Sequence, residues 1–215
     1  MFKVINRRGY YQIGANEYIS VTTILKVISL GEGLVRWAAN LGWEASQRQM
    51  KEKGELGSLV HKQIELYLKK QIKNFDLQSL EIKVRCELIR DWIESNNLEV
   101  IDSERIVWSD KYKYAGSLDV LCRIGKDYCI VDFKNTSGIW PTQFVQQAAY
   151  AKALREREDI KVKRLIIVRP VVGNETQDGT VEVQERRDVG KLFKSFLAAK
   201  TIYSFLHPRS ALKIK

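Results

Sequence analysis

The sequence predicts an α/β fold, and a change of period is what predicts it. Apolar residues recur at helical spacing up to Asn96-Asn97; three short strand patterns follow, then a helix, then a further strand. From Leu77 the expected order is therefore α-β-β-β-α-β. With 215 residues, 45% of them hydrophobic, the chain can bury a full core without disulfide staples. We expect a single domain over residues 1–215, with a helical elaboration over 20–75, a core over about 77–170 and a C-terminal helix over 188–206.

Each element has a local reason. Tyr10-Tyr11-Gln12-Ile13, a turn at Gly14-Ala15-Asn16 and Tyr18-Ile19 predict a hairpin, after which Ser20 or Thr22 caps a short helix running to Ile28. Gly31 and Gly33 are expected to break it. Leu34, Trp37, Ala38, Leu41 and Ala45 mark a helix from Leu34 to about Met50, and Leu59, Ile64, Leu66 and Leu68 mark a second from about Glu55 to Lys70. A third, from about Leu77 to Ser95, carries Leu80, Val84, Leu88, Ile89 and Trp92. Strands are expected from Val100 to Trp108, Tyr114 to Ile124 and Tyr128 to Phe133. Pro141, suited to a first helical turn, opens a helix to Arg157. Leu165 to Val168 reads as a strand, 173–179 as a loop, Val181 to Val183 as a short strand and Asp188 to Leu206 as a last helix.

Lysine and arginine outnumber aspartate and glutamate by 36 to 26, and the net charge of +10 favours a polyanionic partner held in a salt-sensitive way. The N-terminus, Met1 to Arg8, lacks the apolar core of a signal peptide, and no uncharged apolar run approaches membrane-spanning length. A soluble, cytoplasmic protein with no membrane partner is the expectation. Cys86, Cys122 and Cys129 match no zinc or iron-sulfur spacing and read as core thiols in a reducing compartment.

The chemistry concentrates between Ala115 and Tyr150. Gly125-Lys126 between two strand patterns signals a type II′ hairpin, and that turn places Asp119 opposite Asp132 and Lys134 opposite Ser117, all on one face. A four-residue loop closed by Arg123 and Tyr128 gives the same register. Two opposed carboxylates with Cβ atoms roughly 5 Å apart repel each other unless a positive charge lies between them. A divalent cation beside the Lys134 amine would answer this, and phosphodiester hydrolysis needs that pairing. An ordinary Asp-Lys ion pair on a strand surface is the plainer reading of the same residues. If the shorter of two turns near Asp110 to Lys113 joins the first two strands, Glu104 arrives opposite Asp119 as a third acid. Gln146 and Tyr150 share a helix face, and Gly57 lies one turn before His61 on the second expected helix.

Together these residues resemble the PD-(D/E)XK nuclease superfamily, and within it the RecB-like branch. The branch's patterns are Gly-x-x-x-His, Gly-x-x-Asp, Asp/Glu-x-Lys and Gln-x-x-x-Tyr, met here in order at Gly57 to His61, Gly116 to Asp119, Asp132 to Lys134 and Gln146 to Tyr150. The resemblance covers about residues 54–170, and Ser20-Val21-Thr22-Thr23 is similar to the opening of small exonucleases such as the mitochondrial genome maintenance exonuclease. It implies a restriction-endonuclease-like core, a central mixed sheet flanked by helices, with an N-terminal helical elaboration. It implies that His61, Asp119, Asp132 and the backbone carbonyl of Phe133 bind the metal, with Glu104 as an additional acid. Lys134 would orient the attacking water and stabilise the developing charge, and Gln146 and Tyr150 would position the phosphate or support Lys134.

Oxygen-rich ligands with one imidazole suit Mg²⁺ or Mn²⁺ better than structural zinc. Relatives that carry an iron-sulfur cluster use four cysteines, so no cluster is expected of three scattered ones. The expected activity is a Mg²⁺- or Mn²⁺-dependent deoxyribonuclease, more an exonuclease than an endonuclease, acting on DNA ends or single strands and, by resemblance, leaving a 5′-phosphate. Two other readings stand beside it: a nuclease-like module that binds DNA without cutting, and a subunit active only with recombination or repair partners. In the helical elaboration Arg36, Trp43, Arg48 and Lys51 are of base-stacking and phosphate-binding types, or else a solvated face, while Trp37 fits the apolar stripe.

Overall fold

A computed structural model describes residues 4–7, 9–28, 32–173 and 179–208. Among the described residues eight strands form one mixed sheet. Strands β1 (Val4–Arg7), β2 (Tyr10–Ile13) and β3 (Asn16–Ser20) make an antiparallel meander. Of these β1 was not expected, because Val4-Ile5-Asn6-Arg7 is too short to show alternation. β4 (Glu99–Ser109), β5 (Tyr114–Ile124) and β6 (Asp127–Phe133) follow, antiparallel in turn. β7 (Val162–Val172) lies parallel to β6, and β8 (Gly179–Arg186) returns antiparallel to β7. The β6 to β7 crossover runs through α5 (Pro141–Glu158), as a parallel pair requires. The fold is thus mixed α/β with a central mixed sheet, in the expected order.

The other helices are α1 (Val21–Leu25), continued by a 3₁₀ turn over Lys26–Ile28, then α2 (Glu32–Leu41), α3 (Trp43–Leu68), α4 (Leu80–Ser95) and α6 (Val189–Leu206). Ser20 takes the cap position of α1, but its hydroxyl pairs with that of Thr22 at 2.7 Å. Two expectations are corrected. The helices read over Leu34 to Met50 and Glu55 to Lys70 meet in one unbroken α3, and the break falls at Gly42, whose φ is +85°. Lys51-Glu52-Lys53-Gly54 is polar enough to suggest a break, yet an interior glycine costs only about 1 kcal/mol relative to alanine. The turn after α1 ends at Ile28, and α2 begins at Glu32, so Gly33 lies in its first turn instead of ahead of it; Gly31 and residues 174–178 of the expected loop lie outside the described residues.

Helices cover both faces of the sheet. Leu118, Leu121, Ile130, Leu165 and Ile167 pack with Ile24 of α1, Ala148 of α5 and Phe196 of α6. Val120, Cys122, Val131, Phe133, Ile166 and Val168 pack with Val60 and Ile64 of α3 and Ile89 of α4. Because β7 is buried on both faces, Leu165 to Val168 is apolar without alternation. All three cysteines are free and buried in the second cluster. Among the described residues no helix is long and apolar enough to cross a membrane.

The hairpin register is the expected one: Val120 faces Val131 through to Ile124 facing Asp127, and of the two turn residues Gly125 takes a positive φ, +61°. Along one edge of β5 runs β4. The other edge is shared, with β6 pairing to residues 120–124 and β3 to Tyr114 and Ala115. Residues 116–119 lie between them, in a gap where no ladder pair forms among the described residues. His61, Glu104 and Asp119 gather at that gap.

Candidate functional site

Side-chain alternation along β5 slips at Asp119, since Leu118 and Val120 enter opposite cores. The pairs Ser103–Val120 and Arg105–Leu118 put Glu104 opposite Asp119, as the shorter turn required. Glu104 has φ +51°, a left-handed conformation that costs a residue with a Cβ energy and that clusters at functional sites. The β5–β6 ladder stops one pair short of the two aspartates. There the Asp119 carboxylate stands in for a main-chain acceptor and receives the Phe133 N–H at 3.0 Å.

Helix α3, anchored by buried Val60 and Ile64, brings His61 to the same place. His61 Nδ1 lies 3.4 Å from Asp119 Oδ2 and 4.0 Å from Glu104 Oε1. One ligand atom from each of His61, Glu104 and Asp119 falls within 4.8 Å of the others. Partial burial pushes the Glu104 carboxyl above its ordinary range, and the neighbouring His61 pulls it back only in part. Two carboxylates and an imidazole from three separate elements fit a hard divalent ion.

Asp132 is not one of the three residues whose ligand atoms cluster, although the Asp119 charge acts on it. It is almost fully buried, 3% exposed. Lys134 Nζ donates to its Oδ1 at 3.0 Å and sits 2.8 Å from Oδ2, which is shielded from solvent and has no aligned hydrogen bond. Burial pushes the Asp132 carboxyl upward against the pull of Lys134. For Lys134, burial works against the charge, but Asp132 and Asp119 outweigh it and the amine is held above its ordinary value.

Behind β5, Gln146 Nε2 donates to the Tyr150 hydroxyl at 2.9 Å, and the buried Tyr150 ring lies flush on Gly116. A Cβ at Gly116 would meet Tyr150 Cε1 at 2.4 Å and its hydroxyl at 2.8 Å. This contact gives the glycine of the Gly-x-x-Asp pattern its reason: it lets a helix side chain brace the strand segment that ends at Asp119. Gly116→Ala should destabilise the fold by about 1–3 kcal/mol through overpacking, read as a lower urea midpoint with an unchanged slope; a wild-type midpoint would contradict the brace.

A cleft of about 530 Å³ opens over the group, lined by His61, Glu104, Asp119 and Lys134, and by Lys53, Asn135 and Thr136. Sequence reasoning missed Lys53, Asn135 and Thr136. Asn135 had one signal, its position directly after Lys134. Gln146 and Tyr150 do not line the cleft. Farther out on the helical elaboration Trp43 is 74% exposed, Arg36 and Arg48 are exposed, and Lys51 Nζ is 3.8 Å from Glu55. Trp37 is partly buried.

No family model matches the chain, and no curated protein does. Among solved structures it is similar to LHK-Exo in complex with dAMP, at 12% identity over 92% of this chain and 95% of that one, with a TM-score of 0.38. It is likewise similar to a second structure of that protein, an alkaline exonuclease from Laribacter hongkongensis, at 10% identity, with the same coverage and a TM-score of 0.36.

Proposed function

We propose that this protein is a divalent-metal-dependent deoxyribonuclease of the PD-(D/E)XK superfamily and its RecB-like branch, acting as an exonuclease on DNA ends or single strands. One observation carries the reading: His61, Glu104 and Asp119, from three elements, converge within 4.8 Å in a cleft whose wall includes the Lys134 ammonium. The proposed ligands are these three, joined by Asp132 and the Phe133 carbonyl as the resemblance implies. Asp132 Oδ2, shielded from solvent and 2.8 Å from Lys134 Nζ without an aligned hydrogen bond, is the atom proposed for that part.

A Mg²⁺ or Mn²⁺ ion so held supplies Lewis-acid polarisation of the phosphate and activation of water. Lys134 keeps its proton and donates to phosphate oxygens as negative charge builds on them. Asp132 holds that ammonium charged and in place. Gln146 and Tyr150 act through Gly116 as positioning residues.

The net charge of +10 suits DNA as the partner. Trp43 precedes His61 by 18 residues on α3, about five turns, so it lies on the same side of the helix roughly 27 Å away. It is the stacking candidate. Lys51 falls toward that side and Arg48 on the far side, while Arg36 belongs to α2. Trp43→Ala should weaken single-strand binding by about 1–3 kcal/mol, measured by anisotropy in EDTA; wild-type affinity would remove Trp43 from the substrate path.

The function is tested by digesting end-labelled linear DNA with Mg²⁺, with Mn²⁺ and with EDTA. Cleavage with either ion and none in EDTA is expected. Cleavage undiminished by EDTA would overturn the reading, as would DNA binding with no product under any ion, the behaviour of a non-catalytic module.

Cation binding should also appear as stability. A carboxyl raised in the fold, as Glu104 is, contributes stability that is present at low pH and lost as pH rises through its folded value. An ion that pairs with the ionised form reverses that loss. Near neutral pH, Mn²⁺ at a hundred times its Kd should add about 2.7 kcal/mol, and the gain should shrink on acidification as protons compete. Thermal unfolding with and without Mn²⁺ reads this; the same gain in Glu104→Gln would contradict it.

A further inference from the structure

The cleft extends beyond the three-residue group along α3. Gly57 is one turn before His61, about 6 Å along the helix, and Lys53 is two turns before it, about 12 Å. Asn135 sits against the helix here: a Cβ at Gly57 would touch Asn135 Cβ at 3.7 Å. The far end of the cleft thus carries cationic and donor groups, while the near end is acidic.

The amide of Asn135 has a fixed orientation. Arg85 Nη1 lies 2.7 Å from its Oδ1. A guanidinium only donates, so the atom facing Arg85 must be the amide oxygen, and the NH₂ group is the one left for the cleft. Arg85 is itself held, with Nη2 and Nε on Glu81 at 2.9 and 3.3 Å and Nη1 also 3.2 Å from the Pro170 carbonyl. Lys62 is committed to Glu65 at 3.0 Å, whereas Lys53 makes no ion pair among the described residues.

We propose that the Asn135 amide and the Lys53 ammonium form a second phosphate subsite, which holds the phosphate next to the scissile one on the same strand. Arg85 is the positioning residue that aims the amide. The subsite rests on the nuclease reading and adds to it an anchor that works without the cation. Opposed acids at one end repel a polyanion until an ion neutralises them; the donors about 6 to 12 Å along α3 from His61 hold the strand meanwhile.

The test is equilibrium binding of a labelled single-stranded oligonucleotide in EDTA, repeated with one methylphosphonate moved along the strand. Asn135→Ala should weaken binding roughly tenfold, the scale of a hydrogen bond to a charged group. Lys53→Ala should lower the salt slope by about one. At a single position the methylphosphonate should weaken the wild type but cost Asn135→Ala nothing further, and Arg85→Gln should reproduce part of the Asn135→Ala loss. Circular dichroism confirms that each variant is folded. Wild-type affinity in Asn135→Ala and Lys53→Ala, or equal methylphosphonate costs in wild type and Asn135→Ala at every position, overturns the subsite even if cleavage is normal. Strand binding with that one non-additive position, but no cleavage under any ion, supports the subsite and overturns the nuclease reading.

Discussion

Asp119→Asn is expected to slow DNA cleavage at least about a hundredfold while leaving the fold intact. The substitution separates two tasks of one side chain. An asparagine Oδ1 still accepts the Phe133 N–H, which closes the gap where the β5–β6 ladder stops. The charge shared with His61 and Glu104 is lost, and with it the main electrostatic reason for a cation to reside there. Single-turnover cleavage in saturating Mn²⁺ measures the loss, and the thermal midpoint checks the fold. A rate within tenfold of wild type would mean that Asp119 serves the sheet and not the chemistry.

Lys134→Ala is expected to cost at least about a hundredfold in the chemical step, with strand binding in EDTA much less affected. The ammonium is held charged by Asp132 and Asp119 at the cleft wall, where negative charge would develop on the phosphate. Its removal leaves Asp132 buried without its partner, and an unpaired buried carboxylate takes up a proton more readily. Some stability is lost as well, so the rate must be measured well below the variant's melting temperature. Unchanged single-turnover rates would remove Lys134 from the mechanism and reduce the Asp-x-Lys triplet to a buried ion pair.

What the sequence could and could not reveal follows from the range of each interaction. Period and turn chemistry are local, so the order α-β-β-β-α-β, the hairpin at Gly125 and the arrival of Glu104 opposite Asp119 could all be read from spacing. The site's departures from regular pairing could not. Strict alternation does not contain the slip between Leu118 and Val120, the left-handed Glu104 or the early end of the β5–β6 ladder, and Asp119 meets His61 of α3 there. β3 and β6 share one edge of β5, a long-range pairing that carries no local signature. For the same reason Asn135 was invisible as a cleft residue. Its orientation depends on Arg85, fifty residues earlier in the chain. The unbroken α3 is a smaller case: a polar stretch with Gly54 separates the two expected helices, but propagation of a formed helix through one exposed glycine is cheap.

The central claim is that His61, Glu104 and Asp119 hold one divalent cation, and crystals grown with Mn²⁺ test it directly through anomalous scattering. One strong peak within coordination distance of the His61 imidazole and of both the Glu104 and Asp119 carboxylates is the expected result. A map with no peak there at saturating Mn²⁺, or a cation bound elsewhere while DNA cleavage continues, would contradict it.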